Sequence, residues 1–330
     1  MKRCLALCAA ISLALSGAAK AEDVLTAIYA FPKSLIYSKS FLEYVDKVNE
    51  RGEGIVRIDV RGGPEAIGMF EQPAAVRDGI VDMGYFPGSF YGGTVAEKDV
   101  LVASDMTGPE ARASGGIDLL NKIHQEKMGV YYLGWMDSGI PFHLWTVAAP
   151  KLTSEGKIDV SGEKVRGNPI FNQFFTDYLG AQVLNLPSTE LYTALQRGTV
   201  TMTGWTSIGL MDLSWDDYLE YRVDPGFFST DLGIVVNLDA WNALSQESRD
   251  LLQEVAIEHE AESLEKARAL IDTEFAELEK RGLKVVTLEG AAAEEYVKAA
   301  RETSWDRMRT QMEAQGTMEN YEPLMKLFNK

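Results

Sequence analysis

Val76-Arg77-Asp78-Gly79-Ile80-Val81-Asp82-Met83-Gly84-Tyr85 closes a helical stretch on a glycine and leads at once into an apolar run. Glycine takes positive φ without steric cost, so a helix that stops there and gives way to a short buried run marks an α-to-β connection. Upstream, Phe70 to Asp78 suits the helix and Gly62-Gly63-Pro64 a turn. Ile55 to Val60 alternates as a strand does, and Ser34 to Glu50 spaces Phe41, Tyr44, Val45 and Val48 as a helix does. Val24 to Ala30 reads as the first strand. The order β-α-β-α-β implies a parallel sheet covered by helices, with a ligand crevice at the carboxyl ends of its strands. Tyr85, Phe86 and Ser89 stand at such an end and become candidate contacts.

Downstream, Val130 to Trp135, Phe142 to Val147, Lys164-Val165-Arg166 and Gln182 to Leu186 read as strands. Helices are expected over about Pro169 to Leu179 and over Ser188 to Gln196. Gly198 followed by Val200 to Trp205 then repeats the helix-glycine-strand order of Asp78 to Tyr85, so a second lobe is built like the first. Ile234 to Asn237 is another short strand. From Ser245, an N-cap by residue type, to Arg281 there is no Gly or Pro, and Glu262/Lys266 and Glu277/Arg281 stand at i,i+4. This stretch is either one helix about 55 Å long at 1.5 Å per residue, bracing both lobes, or two helices with a kink. The expected division puts residues 22–143 and about 231–265 in lobe I, and 144–230 and about 266–330 in lobe II. Each lobe is α/β, a mixed and mostly parallel sheet flanked by helices.

Residues 1–21 have the layout of a cleavable export signal: Lys2 and Arg3, an apolar stretch from Leu5 to about Leu15, and Ala19-Lys20-Ala21. The expectation is a soluble periplasmic protein beginning near Glu22. Both cysteines, Cys4 and Cys8, lie inside this segment, so the remainder offers no thiol for a disulfide, metal or nucleophile. Without the signal's three basic residues, 29 Lys and Arg face 49 Asp and Glu, a net charge of −20, which argues against nucleic acid and anionic lipid as partners. The length exceeds what one compact core usually carries.

Enzyme signatures are missing. His124, His143 and His259 show no metal-ligand spacing, and neither Gly-x-Ser-x-Gly nor Gly-x-Gly-x-x-Gly occurs. The Gly62-to-Gly68 segment lacks the Lys-Ser/Thr ending of a phosphate loop. Asp216-Asp217 is a pair of adjacent acids of the kind usual in solvated loops. No cofactor, metal site or catalytic residue is expected.

Three segments carry a family resemblance: Gly62-Gly63 through Val76-Arg77-Asp78-Gly79-Ile80-Val81-Asp82-Met83-Gly84, Gly162-Glu163-Lys164-Val165-Arg166, and Glu190-Leu191-Tyr192-Thr193-Ala194-Leu195-Gln196-Arg197-Gly198. In this order they resemble the solute receptors of tripartite ATP-independent periplasmic (TRAP) transporters, the DctP type. The resemblance implies a two-lobed periplasmic binding fold with a long helix across both lobes, closure on a small organic acid, and delivery to a membrane permease, the only membrane contact. It also implies that Arg166 grips the ligand carboxylate in a bidentate way, which suits a planar guanidinium as it does not suit lysine.

Two departures from the family pattern bear on the ligand. Trp205 occupies a position where many members have Asn, in a run Thr201-Met202-Thr203-Gly204-Trp205-Thr206, and a second basic residue often present near Pro141 or Phe142 is missing. The expected surroundings are aromatic: Tyr29, Phe31, Tyr85, Phe86, Phe142, Trp145, Phe171 and Trp205, about half of them core. Asn168, His143, Ser89, Thr203 and Asn237 are candidate polar partners, and His143 is equally readable as a half-buried core histidine. One arginine among rings points to an aromatic monocarboxylate such as a benzoate or hydroxybenzoate. The alternatives are an aliphatic dicarboxylate, a keto acid or a sugar acid, or a sensor for a signalling system.

Overall fold

The computed structural model describes residues 21–328. Apart from Ala21, the expected export signal lies outside the described residues. The first sheet runs in the order Val56–Gly62, Asp23–Tyr29, Met83–Pro87, Leu232–Asn237, Val130–Trp135. The first three strands are mutually parallel, and Leu232–Asn237 is antiparallel to both its neighbours. The second sheet runs Lys284–Thr287, Tyr221–Ser229, Pro141–Thr146, Met202–Thr206, Lys164–Gly167, Gln182–Asn185. Pro141–Thr146 is its antiparallel member, while Met202–Thr206, Lys164–Gly167 and Gln182–Asn185 are parallel. Every residue of Met83–Pro87, Met202–Thr206 and Leu232–Asn237 is buried, as expected of central strands covered on both faces.

The repeated helix-glycine-strand connection is also a repeat in three dimensions. Gly79 (φ 71°) donates its N–H to Val76 and Ile80 donates to Ala75. Gly198 (φ 65°) donates to Leu195 and Thr199 to Ala194. This is the Schellman closure, which requires a left-handed residue at the glycine. It also corrects the strand starts. Ile80 and Val200 belong to the turns, Ile80 is 73% exposed, and the strands begin at Met83 and Met202. The helix expected over Pro169 to Leu179 is replaced by turns and a widened coil, Phe174–Tyr178, in which Leu179 bonds back five residues to Phe174.

The chain passes from the first sheet to the second between Trp135 and Pro141, and returns between Ser229 and Leu232. It then enters one unbroken helix, Gln246–Lys280, capped by the Ser245 hydroxyl, which accepts from the Ser248 N–H at 3.2 Å. The kinked alternative does not hold. At about 52 Å, this 35-residue helix touches both lobes. Leu252, Val255, Ala256, His259, Glu260 and Ser263 bury one face against the first lobe. The Glu260 carboxylate is 1% exposed; it accepts from Arg112 Nε and from the Trp135 N–H at 2.8 Å. Fourteen residues on, or about 21 Å, Glu274 accepts from the N–H groups of Gly209 and Leu210, both at 2.9 Å, in the second lobe.

A later helix, Gly290–Gln315, lies along the Tyr221–Ser229 strand and brings Arg307 to Asp99 of the first lobe (2.6 Å) and to the carbonyl of Ile170 of the second (2.6 Å). The tail does not stay with lobe II, where the sequence division puts it. Helix Tyr321–Phe328 packs against Val100–Ala103 and Gly116–Met128, because Leu324 and Phe328 fill a gap in the first lobe's core and the Phe328 carbonyl accepts from Ser104 Oγ at 2.8 Å.

Replacing Arg112 with Met leaves Glu260 buried without its counter-ion. The expected cost is about 3–5 kcal/mol of unfolding free energy, measured by urea denaturation of the purified protein.

Candidate functional site

Carboxyl ends of strands from both sheets meet around a small cavity of about 30 Å³. The first lobe contributes Phe31, Tyr37, Pro87, Ser89 and Leu232, and the second Phe142, Arg166, Asn168, Ile170, Phe171, Trp205 and Thr206; Thr230 and Asp231 come from the return crossing. The cleft is closed. Phe31 stands edge-on to Trp205 across it (5.9 Å between centroids), and the Ser188 hydroxyl reaches Met69 Sδ at 3.4 Å from the opposite lobe.

Arg166 sits on the edge-flanking strand Lys164–Gly167, opposite Thr203, and is 0% exposed. Its Nε donates to the Leu186 carbonyl at 2.8 Å, while Nη1 and Nη2 have no hydrogen-bond partner. Burial alone pulls its pKa down to about 9, so at neutral pH it remains a cation with nothing to offset its charge. Buried charges are ordinarily paired. Two parallel unmet donors of a guanidinium match the two oxygens of a carboxylate.

Trp205 packs between Phe31 and Trp215, its carbonyl accepts from Trp145 Nε1 at 3.0 Å, and its own Nε1 has no partner. Phe142 and Phe171 meet edge to face at 5.9 Å and form the apolar wall. Asn168 turns the chain out of the Arg166 strand, its Oδ1 accepting from the Ile170 N–H at 3.2 Å. Ser89 donates its backbone N–H to Asp231 Oδ2 at 2.6 Å.

Seven other candidates do not line the cavity. Tyr85 points to the first lobe's far face, stacked on Phe41 at 5.2 Å with its hydroxyl on Asp137. Phe86 packs edge-on to Tyr91 in the same lobe's core, and Tyr29 lies against Phe41. Trp145 is core, fixed by its bond to the Trp205 carbonyl. His143 is held between the Val223 carbonyl (3.1 Å), Asp224 (2.9 Å) and Ser207 (3.1 Å), which exhausts both ring nitrogens. Thr203 Oγ1 donates to its neighbour's carbonyl, Gly204. Asn237 caps the Leu238–Ala243 helix by accepting from Asp239 and Ala240, and donates to the carbonyls of Val76 and Arg77. The neighbouring acids Asp216 and Asp217 face different partners, Arg281 and Tyr192.

Sequence reasoning missed Tyr37 and Asp231. Tyr37 looks like one more ring on an amphipathic helix. For Asp231 there was a weak signal, a lone acid at the expected boundary between lobes. The family described as bacterial extracellular solute-binding protein, family 7 (DctP), matches residues 28–311. The chain belongs to this family, the solute receptors of TRAP transporters. A solute-binding protein of Albidiferax ferrireducens is 24% identical over 294 residues, 84% of either chain. Among solved structures, a Bordetella pertussis extracytoplasmic solute receptor, DctP7, binding pyroglutamic acid, aligns with a TM-score of 0.76 at 17% identity, covering 91% of this chain and 99% of its own. A TRAP solute-binding protein of Bordetella bronchiseptica with calcium and picolinate aligns at 0.75 and 19%, covering 93% and 95%. At such identities these structures share the fold with this chain. Family members are substrate-binding components of transport, not enzymes, and among the described residues no helix is long and apolar enough to cross a membrane.

Replacing Asn237 with Ala removes a helix cap. The expected cost is about 0.5–2 kcal/mol in thermal or urea unfolding, with ligand affinity by calorimetry unchanged.

Proposed function

We propose that this protein is a periplasmic receptor that closes around a small monocarboxylate with a flat apolar body, of the benzoate or hydroxybenzoate type, and presents it to a TRAP permease. The observation that carries the proposal is the fully buried Arg166 guanidinium whose two terminal nitrogens lack partners at the wall of the interlobe cavity. A ligand carboxylate supplies both the missing acceptors and the missing charge.

The body of the ligand follows from the rest of the wall. Phe31, Phe142, Phe171 and Trp205 surround the space, and rings of this kind favour offset or edge-to-face contact with another ring. Among the described residues Arg166 is the one basic residue lining it, and the other charged residue there is the acid Asp231, so a second carboxylate would find no counter-charge. The picolinate bound by the Bordetella bronchiseptica relative is a flat aromatic monocarboxylate, and pyroglutamic acid in the Bordetella pertussis one is a compact ring with one carboxyl group. Admission of such a molecule requires the lobes to part, since Phe31 meets Trp205 and Ser188 meets Met69 across the closed cleft.

A thermal-shift screen of organic acids tests the ligand class, because saturating ligand raises stability by RT ln(1 + [L]/Kd). Benzoates should give the largest shifts, and succinate, malonate or uronates outperforming all of them would refute the class. Arg166→Ala should remove two charge-assisted hydrogen bonds of about 1.5–3 kcal/mol each, a loss of binding visible by calorimetry in a protein that still melts cooperatively. Trp205→Asn should weaken aromatic acids relative to aliphatic diacids in a competition assay. An unchanged ratio places the indole outside ligand contact.

A further inference from the structure

The cavity has a second polar pole, on the other lobe's side. Asp231 lies at the return crossing and is tied to the first lobe twice: its carbonyl accepts from the Gly88 N–H at 2.9 Å and its Oδ2 from the Ser89 N–H at 2.6 Å. Arg166 belongs to the second lobe. Both line the same small space, yet they form no ion pair, and the terminal nitrogens of Arg166 stay without any acceptor. Two opposite charges that line one space from opposite lobes and do not meet are placed to be bridged by a molecule that touches both.

We infer that Asp231 selects, among small monocarboxylates, those carrying a hydroxyl or N–H donor at the end remote from the acid group, so that the ligand spans from Arg166 to Asp231 and joins the lobes. The inference rests on Arg166 as the carboxylate grip. A buried carboxyl oxygen accepts a hydrogen bond from such a donor, whereas an apolar or fluorinated analogue leaves it unmet. Asp231 is already held as an acceptor by Ser89, which orients it before the ligand arrives. Burial raises its pKa, and the Lys98 ammonium and the Arg307 guanidinium pull the other way. Lys98 and Arg307 both form their ion pairs with Asp99.

The test uses pairs of acids that differ in the donor alone: 4-hydroxybenzoate against 4-fluorobenzoate, and 4-hydroxybutyrate against butyrate as a non-aromatic pair. Calorimetry is run on the wild-type protein, Asp231→Asn, Asp231→Ala and Arg166→Ala, with thermal melting to establish that each is folded. In whichever pair binds, the wild-type protein should prefer the hydroxyl by about tenfold or more. That preference should shrink several-fold in Asp231→Asn and vanish in Asp231→Ala. Terephthalate or succinate should bind Asp231→Asn better than wild type. Arg166→Ala should lose both members of each pair alike. Equal affinity of wild-type protein for the two members of the binding pair overturns the role of Asp231 and leaves the carboxylate grip standing, as does a preference that persists in both Asp231 variants. If the aromatic pair fails and the aliphatic one binds with the preference, the ring-shaped ligand class falls and Asp231 stands. If no monocarboxylate binds, both fall.

Discussion

Two carboxylates on one helix set the frame in which everything else is placed. Glu260 is locked to Arg112 and the Trp135 N–H, and Glu274 to the N–H groups of Gly209 and Leu210. Burial raises the pKa of each, and the hydrogen bonds each accepts work against that rise. An unbroken helix keeps its length, so these two anchors set how far apart the sheets stand when the cleft is closed. The strand ends then face each other across a narrow gap, and that gap is the cleft.

The lobes are similar in plan and unequal in partnership. The first lobe's core continues without a break through Trp145, Trp205 and Trp215, so one face of the second sheet is part of the same apolar mass. The other face carries a separate cluster built on Phe171, Phe174, Phe175 and Phe227. The cavity sits where the two meet, with Trp205 on one side and Phe142 and Phe171 on the other. Arg307 reinforces this corner by joining Asp99 to the carbonyls of Pro169 and Ile170, immediately behind the wall.

The element order was legible because glycine stops are local chemistry. Gly79 and Gly198 announce their turns whatever surrounds them, and the absence of Gly and Pro from Ser245 to Arg281 announces the helix. A motif pointed to Arg166, and its guanidinium lines the interlobe cavity. Facing was not legible. In strands buried on both sides, apolar residues occur at every position, so nothing in Met83-Gly84-Tyr85-Phe86 tells which ring meets a ligand and which the core; Tyr85 and Phe86 both proved to be core. Asn237 could not be told from a ligand contact because an amide that caps a helix and one that binds a solute need the same atoms. Asp231 belongs to no motif: beyond its place at the expected lobe boundary, its meaning comes from Gly88 and Ser89, more than 140 residues away in sequence.

If Arg166 is the carboxylate grip proposed above, its unpaired guanidinium has a consequence for signalling between receptor and membrane. A closed receptor without cargo must hold a dehydrated positive charge with no counter-ion, and that penalty disfavours the empty closed shape. Cargo removes it by acting as the absent counter-ion. Shape thus becomes a report of occupancy. A permease that recognises only the closed outline is spared competition from vacant receptors, although it never inspects the ligand itself.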